Sequence, residues 1–408
     1  TGDLSWEDAA FATLAEMIEA SVQKLQASRA RRAAPSPPQP GAAVRVEASA
    51  RVDCGGGWTD TPPYSIERGG RVLNLALTLK GAYPIVVEAA RLPEPRLVLE
   101  CRDIDMALEP EFLGEVLACA NPADPFCLPK AALLLRGLVP ADGDPGAPLA
   151  EVLRASGGGL QLTTATSIPR GSGLGTSSIL GGAVLACLGR LQGVELSQAA
   201  LFDEVLCLEQ MMTTGGGWQD QVGGLVGGIK LVRSEPGLPQ VIQVDPLALS
   251  PQTEAELARR LVLVYTGQQR LAKNLLRIVV GRWLARDPEM VWLLGEIARL
   301  ADEMCRALRA DDVSGFGELL GEHWALNKRI DPGCTNPFID GLFENLAPHI
   351  HGGKLAGAGG GGFAIVVTRG QDGERELAEA LRARYANTPV AVWPSAIPAQ
   401  AMVVHTNL

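Results

Sequence analysis

Apolar side chains recur along this chain with two periods, and the switch between them marks out its elements. Residues 44–48 (Val44-Arg45-Val46-Glu47-Ala48) and 160–166 (Leu160-Gln161-Leu162-Thr163-Thr164-Ala165-Thr166) largely alternate apolar with polar, the period of a strand that buries one face. Residues 72–79, 84–89 and 96–100 read as further strands, and 261–265 (Leu261-Val262-Leu263-Val264-Tyr265) is a short apolar run that ends in a turn at Gly267, as a buried strand should. Helical spacing appears elsewhere. In residues 4–32 Leu4, Ala10, Phe11, Leu14, Met17, Ile18, Val22 and Leu25 stand mostly three and four apart, and the stretch closes on Arg29, Arg31 and Arg32, where the helix dipole favours cations. Residues 129–138, 198–213 and the Leu- and Arg-rich stretch that follows Gly267 and runs to about 326 predict more helices; in 198–213 Leu201, Val205, Leu208 and Met212 share one face. Residues 179–188 carry no charge, which predicts a helix buried all round. The end of the chain predicts one more helix over 374–385 and a pair of strands over 390–404.

Two breaks divide this pattern. Pro35-Ser36-Pro37-Pro38-Gln39-Pro40 is a stiff spacer that can be neither helix nor central strand, and after Asp245-Pro246 the chain changes character. The expected organisation is an N-terminal helix and linker over 1–40, a first lobe over 41–251 and a second over 252–408. The N-terminal stretch carries Glu7, Asp8, Glu16 and Glu19, unlike the acid-poor composition of a transit peptide. The chain opens on Thr1, so a piece of something larger, or a processed product, is expected.

Charge and cysteine usage narrow the chemistry. A net charge of −10 and a pI near 5.1, with no basic stripe, argue against a nucleic-acid partner, so any phosphate must be held locally. No apolar run approaches the roughly 20 residues of a membrane span. The eight cysteines include no C-x-x-C pair, and the four histidines form no metal-ligand pattern with them, so reduced thiols and a cytoplasmic location are expected.

Glycine clusters carry the chemistry. Between the strand at 160–166 and the buried helix lies Ile168-Pro169-Arg170-Gly171-Ser172-Gly173-Leu174-Gly175-Thr176-Ser177-Ser178. Three glycines on a strand-to-helix turn let successive N–H groups point at one place, and the positive end of the following helix adds to that field. An anion is the expected guest. The stretch lacks the lysine of a G-x-x-x-x-G-K-[ST] loop and does not fit the dinucleotide fingerprint. A second loop, Arg51-Val52-Asp53-Cys54-Gly55-Gly56-Gly57-Trp58-Thr59-Asp60-Thr61-Pro62-Pro63-Tyr64, gathers Arg51, Asp53, Trp58, Asp60 and Tyr64. Carboxylates accept hydrogen bonds from sugar hydroxyls, and an aromatic face covers the apolar side of a pyranose. A third, Gly215-Gly216-Gly217-Trp218-Gln219-Asp220-Gln221, follows the helix that holds Glu209 and presents Asp220 on a glycine-flanked loop. The fourth, Gly357-Ala358-Gly359-Gly360-Gly361-Gly362, feeds directly into a strand.

Pro169 with Gly173-Leu174-Gly175-Thr176-Ser177 resembles the Pro-x-x-x-Gly-Leu-Gly-Ser-Ser signature of the GHMP small-molecule kinases. The loop from Arg51, with Asp60 nine residues on, resembles that family's N-terminal sugar motif in its galactokinase version, although Gly-Gly-Trp replaces the usual Gly-Glu-His core; the 357–362 loop resembles the third motif. Glu209 and Asp220, eleven residues apart, are similar in spacing to the magnesium carboxylate and catalytic aspartate of mevalonate kinase. Within the superfamily the motif segments look most like those of the fucokinase group. The resemblance implies an α+β fold of two lobes, the first like ribosomal protein S5 domain 2 and the second ferredoxin-like. It implies ATP and Mg²⁺ as cofactors and L-fucose as the small-molecule substrate, phosphorylated at its anomeric hydroxyl. Pro169, Gly171, Ser172, Gly173, Leu174, Gly175, Thr176, Ser177, Gly359, Gly360 and Gly361 would hold the nucleotide, and Ser177 and Glu209 the metal. Asp220 would act as base with Arg51 near the transferring group, while Asp60, Trp58, Gly217, Trp218 and Tyr265 would meet the sugar. A related sugar kinase acting on a heptose phosphate, or a silent sugar sensor, are the alternatives. Fucokinases often carry a nucleotidyltransferase-like region ahead of the kinase, and the present chain has room there only for a helix and a linker.

Overall fold

The computed structural model describes residues 41–121, 123–212, 216–269 and 275–407, with residues 9, 13, 16, 17 and 20 alone from the first forty. The expected N-terminal helix and proline spacer therefore lie, but for those five positions, outside the described residues. No described helix is long and apolar enough to cross a membrane.

Alternation at the start of the chain builds the first sheet. In β1 (Ala43–Ala48) Val44, Val46 and Ala48 are buried while Arg45 and Glu47 face outward, where Arg45 bridges Glu47 and Glu88 of the neighbouring strand. β1 lies in a six-stranded sheet between β15 (Met402–Asn407) and β4 (Ile85–Leu92), and the order continues through β7 (Gly159–Thr166), β5 (Leu97–Cys101) and β6 (Met106–Leu108). Only β5 and β7 pair in parallel in this sheet. A second sheet sets β14 (Ser395–Ala396), β3 (Arg71–Leu79), β8 (Ile229–Ser234) and β9 (Ile242–Pro246) side by side, with β2 (Ala50–Gly55) also on β3. β2 is buried at all six positions, and it carries Arg51 and Asp53.

The uncharged run forms the helix Thr176–Leu191, which packs on β1 and β4 with one side and on the helices Gln198–Met211 and Gln219–Leu225 with the other. From Ser178 to Gly189 nearly every residue is buried, as the composition of 179–188 predicts. Gly182 lets the last of these helices come close: a Cβ there would lie 2.3 Å from Leu225 Cδ1.

The second lobe is an antiparallel sheet in the order β11 (Ile350–Leu355), β12 (Phe363–Thr368), β10 (Leu261–Tyr265) and β13 (Ala391–Trp393). The helices Pro288–Arg309 and Val313–Ile330 pack against one another, the latter on β11 and β12. The two-lobed α+β fold is thus the observed one. The C-terminal segment does not stay with the second lobe, however. The strands expected as a pair over 390–404 separate: β13 joins β10, β14 pairs with β3 and β15 with β1, both of the first lobe. Short apolar segments carry no label for their partner, and only the closing of the first sheet's edge decides it. One apolar core reaches across the boundary expected near 252, joining Val52, Leu73 and Leu75 to Met304, Phe316 and Phe363.

Candidate active site

Gly171, Gly173 and Gly175 of the first glycine loop all sit at positive φ (67°, 77° and 73°), and Gly175 caps the helix Thr176–Leu191. A side chain at Gly175 would press on Arg51, 2.9 Å from its Cγ. The fourth loop lies directly on the first: Phe363 N donates to Ser172 O at 3.1 Å, and a Cβ on Gly173 would lie 2.4 Å from Ala356 O. Of that loop, Gly357 and Ala358 reach the cavity between the lobes. Gly359 turns instead toward Cys334, and neither Gly360 nor Gly361 lines the cavity.

That cavity, of ≈ 300 Å³, is lined by residues from every glycine cluster: Asp53, Trp58 and Asp60; Ser177 and Ser178; Glu209; Gly217 and Asp220; and Gly357. His323 and Asn327 of the helix Val313–Ile330 complete its wall. Asp220, in sequence on a glycine-flanked loop, occupies the first turn of the helix Gln219–Leu225, where the dipole favours an acid. Two adjacent glycines make this a poor helix by propensity. Tertiary contacts hold it: buried Asn74 donates to Gln219 O at 3.1 Å, and buried Lys230 donates to Gly223 O at 2.6 Å near its far end.

A buried chain of charges runs from the second lobe to Asp220. Lys354 of β11 donates to Asp53 Oδ2 and to Asp53 O, each at 2.6 Å. Asp53 also accepts from Gly357 N and from Arg51 Nη1, each at 2.8 Å. Arg51 in turn donates through Nε at 2.9 Å, and through Nη2, to Asp220 Oδ1, and through Nη1 to Gly173 O at 3.0 Å. Burial works against the Asp53 carboxylate, but Lys354 and then Arg51 outweigh it and hold its pKa below the ordinary 3.8. Arg51 is spent on this scaffold, with four of its five N–H groups engaged, and it does not line the cavity. It braces Asp220.

Two other carboxyls are raised. Burial, opposed by the Ser178 hydrogen bond and reinforced by Asp220 and Asp60, lifts Glu209 to about 8. Burial and then Asp220 lift Asp60 to about 7. The hydroxyl on Glu209 Oε1 belongs to Ser178, while Ser177, the expected metal ligand, is exposed at the cavity. Asp60 Oδ2 accepts from Gln219 N at 3.1 Å. Gly217 explains itself here, because a Cβ would fall 2.0 Å from Asp60 Oδ2.

Trp58 holds φ at 80°, a conformation that is strained for a bulky residue and is kept by the turn bonds Thr59 N to Gly56 O (3.1 Å) and Thr61 N to Trp58 O (3.2 Å). It lines the cavity; two expected sugar contacts do not. Trp218 is fully buried beneath the loop that holds Trp58, close to Gly70, and Tyr265 packs on Phe363 and Trp393 in the second lobe. Trp218 follows a glycine loop directly in sequence, but it starts a helix that carries it into the core, and Tyr265 ends a strand whose pleat packs it on its neighbours. His323 and Asn327 belong to none of the sequence motifs. Their only signal was two polar residues four apart on a helix, and nothing along the chain ties that helix to the glycine loops.

Comparison with known proteins bears on family and fold. The family model for the GHMP kinases N terminal domain matches residues 147–228, and that for GHMP kinases C terminal matches 304–387. A bifunctional fucokinase/GDP-fucose pyrophosphorylase of Arabidopsis thaliana is 41% identical over 341 residues, covering 83% of this chain and 31% of its own. An L-fucokinase/L-fucose-1-P guanylyltransferase of Bacteroides fragilis is 38% identical over 322 residues, 78% of this chain and 34% of its own. The chain thus spans about a third of the length of these curated relatives. Among solved structures, a D-glycero-D-manno-heptose 1-phosphate kinase from Bacteriodes thetaiotaomicron superposes with a TM-score of 0.64 at 20% identity, over 90% of this chain and 99% of its own, a likeness of fold.

Proposed function

The chain belongs to the GHMP kinase superfamily, and we propose that it transfers the terminal phosphoryl group of ATP to the anomeric hydroxyl of L-fucose, yielding a sugar 1-phosphate. The observation that carries this reading is the meeting of Ser177, Glu209, Asp220 and Asp60 at one cavity beside a glycine loop that opens a helix. Phosphates would lie over residues 171–177, where backbone N–H groups and the helix dipole offset their charge. The substrate hydroxyl would sit at Asp220, whose Oδ1 is held by Arg51 so that Oδ2 can accept its proton as the phosphoryl group moves.

The donor set fits Mg²⁺. That ion keeps several waters and needs only one or two protein carboxylates beside the phosphates, and here Glu209 with the Ser177 and Ser178 hydroxyls offers oxygen donors alone. Mg²⁺, when bound, would neutralise charge on the transferring phosphoryl group. Glu209 would hold it as a carboxylate, its proton displaced by the cation.

A sugar that already carries a phosphate is a weaker reading. Among the described residues lining the cavity there is no Lys or Arg, while Asp53, Asp60, Glu209 and Asp220 are all acidic. The two relatives named for fucokinase activity favour the free sugar. Asp220→Asn tests the reading: it keeps the shape and removes the base. ADP release with L-fucose should fall by about 100-fold or more, with the parent active on L-fucose in a sugar panel. A variant within a few-fold of the parent removes Asp220 from the chemistry.

A further inference from the structure

We propose that His323 and Asn327 of the second lobe read ring hydroxyls of the substrate and decide which sugar is accepted, a step that rests on the sugar-kinase reading above. Both side chains line the cavity with Asp60 and Asp220, both are buried (0% and 4% exposed), and they stand four apart on the helix Val313–Ile330, hence on one face. Their polar atoms are incompletely used. His323 Nε2 accepts from Gly56 N at 3.2 Å, so this nitrogen is unprotonated and the proton of the neutral ring sits on Nδ1. Burial, and then Lys354, lower the pKa of His323 to about 3, which keeps it neutral. The Nδ1–H finds no hydrogen-bond partner among the described residues, and neither does Asn327 Oδ1.

The other wall of the cavity repeats this. Asp60 Oδ1 and Gln219 Oε1 are buried and also without partners among the described residues. Buried polar groups in folded proteins are normally paired, and four unpaired atoms on the residues of one cavity point to a ligand that completes them. Their chemistry names its class. One donor, His323 Nδ1–H, accompanies three acceptors on Asn327, Asp60 and Gln219. A hydroxyl both donates and accepts, so a neutral polyol satisfies all four, whereas a carboxylate or phosphate can only accept and would be repelled by three of them. The substrate thereby bridges the lobes: Asp60 and Gln219 hold it from the first, His323 and Asn327 from the second. The Gly56 hydrogen bond to His323 also fixes the sugar loop against the reading helix.

The test measures ratios. The parent is assayed with L-fucose and with each of its monodeoxy analogues, beside Asn327→Ala and Asn327→Leu; leucine is close in volume to asparagine and separates a packing gap from the loss of the amide oxygen. For one deoxy position, the parent should prefer the complete sugar by about 10- to 100-fold in kcat/KM, because the analogue strands the acceptor. In both variants this preference should fall to within a few-fold of unity, while the preferences at the other positions persist. Purely structural damage lowers turnover of every sugar together and leaves the ratios alone. If the parent turns over L-fucose and neither variant alters any deoxy ratio, the proposal is overturned and the kinase reading stands. A parent that phosphorylates no sugar of the panel overturns both.

Discussion

Removing the Lys354 ammonium should cost more stability at neutral pH than at pH 5, for a reason that lies in the charge chain behind Asp220. Lys354 and Asp53 are 0% and 2% exposed at their side chains, with Nζ and Oδ2 at 2.6 Å. At an effective dielectric of roughly 20, charges at that separation attract by about 6 kcal/mol, part of which is offset by the desolvation of both groups. In Lys354→Met the Asp53 carboxylate keeps Arg51 and Gly357 N, but the buried cluster of Lys354, Asp53, Arg51 and Asp220 goes from neutral to one negative charge. Asp53 can take up a proton instead. From its ordinary value of 3.8 that limits the penalty to about 4 kcal/mol at pH 7 and under about 2 kcal/mol at pH 5. The expected loss is thus about 3–4 kcal/mol at pH 7, shrinking on acidification. Equilibrium urea unfolding of the parent, Lys354→Met, Asp53→Asn and the double variant at both pH values measures it; one core spans the two lobes, so a single transition is expected. In the double variant the asparagine oxygen can still accept from Arg51 and Gly357 N, and a coupling of about 2–3 kcal/mol should appear. Additive losses, or a penalty for Lys354→Met below about 1 kcal/mol at pH 7, would refute the buried pair.

Two further tests bear on the acidic groups. Glu209 has its pKa raised from 4.5 to about 8 by burial, so the stability tied to its protonated form is complete below about pH 4.5 and is lost as pH rises through about 8. Without metal, Glu209→Gln should therefore lose less thermal stability than the parent between pH 5 and 8.5 and should require more Mg²⁺ for turnover. Parallel stability curves would contradict the burial of an ionisable Glu209. Gly217→Ala would push a methyl group onto Asp60 Oδ2 at 2.0 Å, displacing a proposed sugar contact. Its KM for the sugar should rise by about 100-fold with the KM for ATP little changed, and steady-state kinetics with each substrate varied in turn would decide.

Local patterns in the chain determined much of this protein. Alternation in Val44-Arg45-Val46-Glu47-Ala48 makes a one-sided strand whatever its partners, and the uncharged run after Ser178 can be stable only as an enclosed helix. The three glycines from Gly171 to Gly175 all adopt the positive φ that their lack of a Cβ permits. Such features depend on residues within a few positions of one another, so the sequence displays them. What the fold alone decided involves residues far apart along it. The helix around Asp220 defies its own glycines because Asn74 and Lys230, on two different strands, hold its ends. Ser178 rather than Ser177 meets Glu209 because helical phase, set by packing on β1 and β4, turns one hydroxyl inward and leaves its neighbour exposed. Trp218 adjoins the site in sequence yet is buried in the core, and Tyr265 packs on Phe363 and Trp393, while His323 and Asn327, more than 100 residues beyond Asp220, reach the cavity from another helix. Side-chain direction and the meeting of two lobes are long-range properties, and no local periodicity carries them.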